Sequence, residues 1–339
     1  MPSEEKGKIR IGINGFGRIG RSLFRLLLEH PKIEVAAIND LAPAATLGHL
    51  LKYDSIHGVL KKEVHSEDST IVVDGRRYPV LNTPAPADIP WDDLGVELVV
   101  ECTGKFKTRE ILEAHLSKRV KKVILSVPPQ DDSIKMVVLG VNEEILDGSE
   151  NIISNASCTT NNAAPLLKVI NDNFGVKEAY ITTVHSYTSD QSLHDQPHKD
   201  LRRGRAAAQS IVPTTTGAAK ALTSIFPDLS EVIGGCGIRV PVPNGSLTDM
   251  TVNVKEATNI GEINTAFKEA SKTYLKNYLE YTEDPIVSID INNNPHSCIF
   301  DAQMTSVVGK NLVKIIGWYD NEIGYSSRLI DLISLVCDK

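Results

Sequence analysis

The sequence predicts an α/β protein, with a Rossmann-type parallel-sheet domain first and an α+β domain carrying a mixed or antiparallel sheet second. Three observations predict it. Short apolar runs alternate with helix-like segments through the first half, the pattern of a parallel sheet covered on both faces. A glycine-rich turn joins the first strand to the first helix. After residue 160 strand follows strand, with helices between only some of them.

The elements follow in order. Ile9, Ile11 and Ile13 alternate as one face of a strand. Ile19, Leu23, Leu26 and Leu27 then form the stripe of a helix, which should stop near His30-Pro31 because the residue before proline resists the α region. A strand is expected over 34–39. Further strands are expected at 71–73, 98–102, 123–127, 136–141 and 152–154, with a helix at 109–116. A helix ending near Phe174 is interrupted by Pro165, so it should start late or kink. Strands are then expected at 179–187, 232–240, 247–254, 286–291, 302–308 and 312–319. Helices are expected around 217–225 and 262–279, with a last amphipathic one at 324–337. The domains are therefore 1–157 and 158–323, with the C-terminal helix, 324–339, packing back on the first.

A chain of 339 residues suits two domains and needs no staples for its core. The net charge of −7 argues against a nucleic-acid protein relying on overall basicity. The first eight residues are short and charged, unlike a secretory signal, and no apolar run nears the roughly 18–20 residues that span a bilayer. No membrane association is expected. Five cysteines, at 102, 158, 236, 298 and 337, show no CxxC pair and no zinc spacing, which excludes a disulfide scaffold, gives no metal site and points to a reduced, cytoplasmic compartment.

Gly15-Phe-Gly17-Arg-Ile-Gly20 is GxGxxG, placed after a strand and opening a helix, and Asp40 lies 20 positions beyond Gly20 at the end of the next strand. The glycines allow a tight turn and let a pyrophosphate approach the helix N-terminus. Asp40 can accept from both ribose hydroxyls and repels a 2′-phosphate, which favours NAD over NADP. The competing reading is a glycine turn that only packs helix on strand.

Cys158, in Ser154-Asn-Ala-Ser-Cys-Thr-Thr-Asn161, follows a strand and precedes a helix, a position expected to lower a thiol pKa. The other four cysteines read as packing residues. His185 ends a strand 27 positions later and can supply a base; a hydrogen-bonded core histidine is the alternative. Three features suggest anion binding: the basic stretch 198–205 in a long loop, the turn Thr214-Thr-Thr-Gly217 leading into a helix, and Arg239 in an apolar strand. Internal salt bridges, a solvated surface or a subunit interface would explain them as well.

Together these motifs resemble phosphorylating glyceraldehyde-3-phosphate dehydrogenases over nearly the whole chain, from Ile11-Gly-Ile-Asn-Gly-Phe-Gly-Arg-Ile-Gly-Arg21 to Trp318-Tyr-Asp-Asn-Glu-Ile-Gly-Tyr325. SNASCTTN at 154–161 is similar to that family's active-site motif, and the loop at about 186–209 resembles the S-loop of its bacterial and plastid members. The resemblance implies Cys158 as nucleophile and His185 as base. It implies NAD held by Arg18, Ile19, Asp40, Thr103, Ser126 and Asn321 besides the glycines. It implies a substrate phosphate on Thr188 and Arg239. The attacking inorganic phosphate would lie on Ser157, Thr159, Thr216 and Gly217, with Arg203 nearby. It also implies a homotetramer whose S-loops meet at its core. Three positions depart from the family pattern: Asn162 replaces a second cysteine, Pro84 an arginine, and Gly245 a valine, the last expected to loosen its strand. The rivals are erythrose-4-phosphate dehydrogenase, a semialdehyde dehydrogenase, and a non-catalytic NAD-binding interaction protein.

Overall fold

The computed structural model describes residues 7–338, with the backbone only of Asp338. Most of the charged N-terminal stretch and the terminal Lys339 lie outside the described residues. The chain forms two compact units. Among the described residues, one comprises 7–136, 144–156 and 326–338; the other comprises 137–143 and 157–325.

The first unit contains β1 (Ile9–Asn14), α1 (Arg18–Leu27), β2 (Ile33–Asn39), α2 (Ala44–Lys52), β3 (Val64–Glu67), β4 (Thr70–Val73), β5 (Arg76–Leu81), β6 (Leu98–Glu101), α3 (Arg109–Glu113), β7 (Lys122–Leu125), β8 (Lys135–Met136) and β9 (Ile152–Ser154). They form one nine-stranded sheet in the order β3-β4-β5-β2-β1-β6-β7-β9-β8. The pairs from β5 through β8 are parallel, as expected, whereas β3, β4 and β5 pair antiparallel. That edge was not foreseen: tight turns at 68–69 and 74–75, with Asp68, Asp74 and Gly75 at positive φ, fold it into consecutive hairpins. The apolar run 136–141 is buried, but only Lys135–Met136 pairs as strand. The core follows the alternation: Ile11 and Ile13 are fully buried, and Phe24 of α1 meets Phe16 and Tyr78 edge-on at 5.4 and 4.7 Å.

The second unit contains α4 (Cys158–Phe174), β10 (Val176–Ser186), β11 (Val212–Thr214), α5 (Ala218–Ile225), β12 (Ile233–Val240), β13 (Ser246–Val254), α6 (Ile260–Lys272), β14 (Leu279–Thr282), β15 (Cys298–Asp301), β16 (Ser306–Val308) and β17 (Leu312–Tyr319). Its sheet is mixed, in the order β11-β12-β10-β13-β17-β15-β14, with β16 on β17. The β10–β12 and β14–β15 pairs are parallel and the rest antiparallel. α4 packs on β13, β15 and β17, and Phe267 of α6 stacks on Phe300 of β15 at 3.8 Å. α7 (Ile323–Asp338) begins in this unit, and from Ser326 onward it belongs to the first.

Several expectations need correction. α4 does not start late; it runs unbroken from Cys158 with Pro165 inside it. Residues 286–291 form turns instead of a strand, because the Asp290 carboxylate accepts from the Val287 N–H and folds the segment on itself. The strand in that region is β14, and α6 stops at Lys272, with turns at 273–278 in place of the end of the longer helix expected there. Residues 302–308 split into a 3-10 turn and the short β16. Gly245 loosens nothing. It sits at φ 86°, where a Cβ would come within 2.3 Å of the Ser288 carbonyl oxygen, so the backbone there requires glycine. No described helix is long and apolar enough to cross a membrane.

Candidate active site

In the first unit the glycine turn has the geometry its sequence implies. Gly15 is at φ 95°, and a Cβ there would lie 2.7 Å from the Thr103 nitrogen. A Cβ on Gly20 would lie 2.2 Å from the Gly15 carbonyl oxygen, whereas Gly17 faces open space. Gly17 caps α1 with no side-chain bond of its own, at the helix's positive end. The Asp40 carboxylate accepts from the Phe16 and Ala42 N–H groups at 2.7 and 2.9 Å, which holds it beside the turn. These features fit a dinucleotide: close backbone approach, an anion-favouring helix end and a ribose acceptor. Arg18 turns its guanidinium to Asp54, at 2.7 and 3.2 Å, and so contributes through its place in the helix start. That contact and backbone N–H bonds hold the Asp54 carboxyl down at about 2, against the burial that raises it. Ile19 is half-buried in the first turn of α1. Ser126 is buried just beyond β7, its N–H donating to the Glu101 carbonyl.

In the second unit, sheet register builds the site. His185 of β10 and Arg239 of β12 are direct partners in a parallel pair, and Ser246 of β13 pairs with Tyr319 of β17. Cys158 is the first residue of α4, capped by Ser157, whose hydroxyl oxygen accepts from the Thr160 N–H. Ala156, two residues before Cys158, is held at φ 54°, a costly conformation for alanine.

The Cys158 Sγ lies 3.5 Å from His185 Nε2. At the other side of the ring, Nδ1 lies 2.7 Å from the Ser186 carbonyl oxygen and 2.6 Å from Arg239 Nη1, which also donates to that carbonyl. Burial, reinforced by the Arg239 charge, pushes the His185 pKa down to about 3, so its imidazole is neutral near pH 7. Burial also raises the Cys158 thiol, outweighing the pull of Arg239 and the hydrogen bonds of Thr159. The backbone N–H groups at the helix start do pull this thiol down, as its position suggests, but desolvation outweighs them. Tyr319 packs edge-on to His185 at 5.9 Å, and its hydroxyl bonds Thr159 and Thr183.

The anion groups converge. Arg239 is half-buried and forms no ion pair with a carboxylate among the described residues. Its positive charge and that of Arg203 are both felt at His185. Arg203 itself donates to Asp190, Thr214 Oγ1 and the Thr215 carbonyl, next to Thr216. The Thr216 hydroxyl accepts from the Ala218 N–H, and Gly217 caps α5 with no side-chain acceptor. Thr188 is half-buried at the start of the loop. The Thr159 hydroxyl lies 2.9 Å from the Tyr319 hydroxyl. The Asn321 amide oxygen accepts from Ser186 Oγ, Ser246 Oγ and the Gly245 N–H at 3.0–3.2 Å, which leaves its NH₂ as the face presented. Tyr319, Ser186, Ser246 and Asp190 were missed by sequence reasoning; only the alternation along β17 hinted at Tyr319. Asn162, in place of a second cysteine, donates to the Trp318 and Ser297 carbonyls. All five cysteines are free thiols. Pro84 lies exposed in the loop after β5, and nothing in the structure explains its presence there.

Comparison with known families agrees with this geometry. Residues 9–109 match the glyceraldehyde 3-phosphate dehydrogenase NAD binding domain, and residues 157–321 match the C-terminal domain of the same family. Glyceraldehyde-3-phosphate dehydrogenase 2 of Streptomyces avermitilis is 53% identical over 330 residues, covering 97% of this chain and 98% of its own. Glyceraldehyde-3-phosphate dehydrogenase 1 of Bacillus cereus is 50% identical, covering 97% and 99%, and the Mycobacterium avium protein 52%, covering 97% and 98%. The chain belongs to the glyceraldehyde-3-phosphate dehydrogenase family.

Proposed function

We propose that the protein oxidises D-glyceraldehyde 3-phosphate to 1,3-bisphosphoglycerate with reduction of NAD, through an acyl thioester on Cys158. The observation that carries this reading is the row Cys158–His185–Arg239: a thiol 3.5 Å from a neutral imidazole, and a half-buried cation, with no carboxylate partner among the described residues, against the imidazole's far nitrogen.

The Cys158 sulfur attacks the aldehyde carbon as its proton passes to His185 Nε2, giving a thiohemiacetal. His185, once it has released that proton, takes the hydroxyl proton as hydride departs and the thioester forms. NAD, when bound, accepts that hydride. Inorganic phosphate then attacks the thioester carbon and the Cys158 thiolate leaves. Arg239 and Thr188 hold the substrate's phosphate. Ser157, Thr216 and Gly217, with Arg203 beside them, receive the attacking phosphate. The Asn321 NH₂ would be a donor toward the cofactor. Gly15, Gly17, Arg18, Ile19, Gly20, Asp40, Thr103 and Ser126 would hold the dinucleotide.

The protein works as a homotetramer in the cytoplasm. Leu193, Leu201 and Ile211, in or just after the S-loop, are 64%, 84% and 69% exposed in the single chain, which supports burial of the loop against other copies. The test of the activity is NADH formation from glyceraldehyde 3-phosphate with and without phosphate. Strict dependence on phosphate or arsenate is expected. Equal rates without either would overturn the reading in favour of release by water, as in an erythrose-4-phosphate dehydrogenase.

A further inference from the structure

Five buried side chains of the first unit have no part in the chemistry above, yet form one hydrogen-bonded row. Asn39, Asn14 and Glu101 are the last residues of β2, β1 and β6, and they are direct register partners. His115 and Trp91 continue the row. None is more than 4% exposed, and Glu101 is fully buried.

The bonding is fully directional. The Trp91 indole N–H, which can only donate, bonds His115 Nδ1 at 3.1 Å; the ring proton is therefore on Nε2, which donates to Glu101 Oε2 at 3.3 Å. Asn14 Nδ2 donates to the same oxygen at 2.5 Å. The other oxygen, Oε1, accepts from the Thr103 N–H at 2.8 Å and from the Thr103 hydroxyl. Four donors thus meet the two carboxylate oxygens. Asn39 Nδ2 donates to Asn14 Oδ1 at 2.7 Å, and the Asn39 side chain closes on the backbone of Thr83.

Each strand end is followed at once by a wall of the cofactor groove: Asp40 after Asn39, Gly15 after Asn14, Thr103 beyond Glu101. The Gly15 turn and Thr103 are in such close contact that not even a methyl group fits between them. A buried carboxylate adds little to stability over an apolar replacement, but a fully satisfied polar row fixes one geometry. We propose that Glu101 is a positioning residue for the dinucleotide, bracing the three strand ends so that the Gly15 turn and the Thr103 turn keep the spacing the cofactor needs. The proposal rests on the reading of this groove as the NAD site.

The test is calorimetric titration of the full chain with NAD. Glu101→Gln turns one acceptor into a donor facing the Asn14 or the Thr103 donors. It is expected to raise the NAD dissociation constant at least about tenfold, with the rate of Cys158 alkylation by iodoacetamide in the cofactor-free protein unchanged. Trp91→Phe removes only the far end of the row; it should lower the melting temperature but leave NAD affinity nearly intact. Should Glu101→Gln fail to fold, Asn14→Ser, which removes a single strut, is expected to weaken NAD binding several-fold. A folded Glu101→Gln or Asn14→Ser protein that binds NAD as well as the parent, or more tightly, would overturn the proposal. So would a loss in Trp91→Phe equal to that in Glu101→Gln. Failure of the unaltered protein to bind NAD would instead overturn the cofactor reading itself.

Discussion

The two units build their sites in opposite ways. In the first, much of the groove is local: six consecutive residues, Gly15 to Gly20, form its turn, Asp40 and Thr103 wall it, and most of what the turn supplies is backbone. In the second, the reactive groups come from α4, β10, β12 and β17, and meet only because the strands pair in one register. Mutations in the two units should therefore act differently. Changes in the first unit should alter cofactor affinity and preference, and changes in the second should alter chemistry.

The largest effect is expected at Cys158. Replacing it by serine removes the nucleophile and should lower turnover by at least about a thousandfold, with NAD affinity within threefold of the parent by titration. Loss of both together would break the division between the units. His185→Asn should lower kcat by roughly a hundredfold to ten-thousandfold. It has a second, thermodynamic signature. The folded pKa of about 3 lies below that of an unfolded histidine, so below about pH 6.5 the unfolded chain binds the proton and the folded one does not. His185 therefore costs stability as pH falls from about 6.5 toward 3, by up to about 1.4 kcal/mol per pH unit. Denaturant titrations at pH 7.5 and 5 should show the parent losing more stability than the asparagine variant; parallel losses would show that the imidazole is not buried neutral.

Arg239→Gln should raise KM for the phosphorylated aldehyde by about ten- to a hundredfold, the worth of one charge-assisted contact, while unphosphorylated glyceraldehyde is affected far less. Equal effects on both substrates would mean that Arg239 serves His185 and not the phosphate. The smallest effect is expected in the first unit. Asp40→Ala should shift the NAD to NADP preference toward NADP several-fold, and an unchanged ratio would show that the ribose is read elsewhere.

The same contrast explains what was legible. A glycine turn and its following acid are contiguous, and their chemistry follows from residue type, so the cofactor groove could be read directly. The nucleophile and base were legible as residue types, Cys158 at a helix start and His185 at a strand end. Which cation meets the base was not, because a one-residue slip between β10 and β12 would separate His185 from Arg239 and leave both sequences equally plausible. Burial was not legible either, and it decides that the Cys158 thiol is raised although its helix start favours the anion. The run at 286–291 misled for a related reason: Val287 and Ile289 look like strand residues, yet they are 57% and 65% exposed in a turn. The Glu101 row escaped notice because a lone glutamate ending an apolar strand gives no sign of the donors that meet it.

Peptide mass spectrometry shows which of the five cysteines carries the acyl group. The protein is mixed with NAD and glyceraldehyde 3-phosphate in phosphate-free buffer and quenched in acid. A phosphoglyceroyl adduct on the Cys158 peptide alone, removed by added phosphate, is predicted. NADH formation with no adduct, or with the adduct on Cys102, Cys236, Cys298 or Cys337, would contradict it.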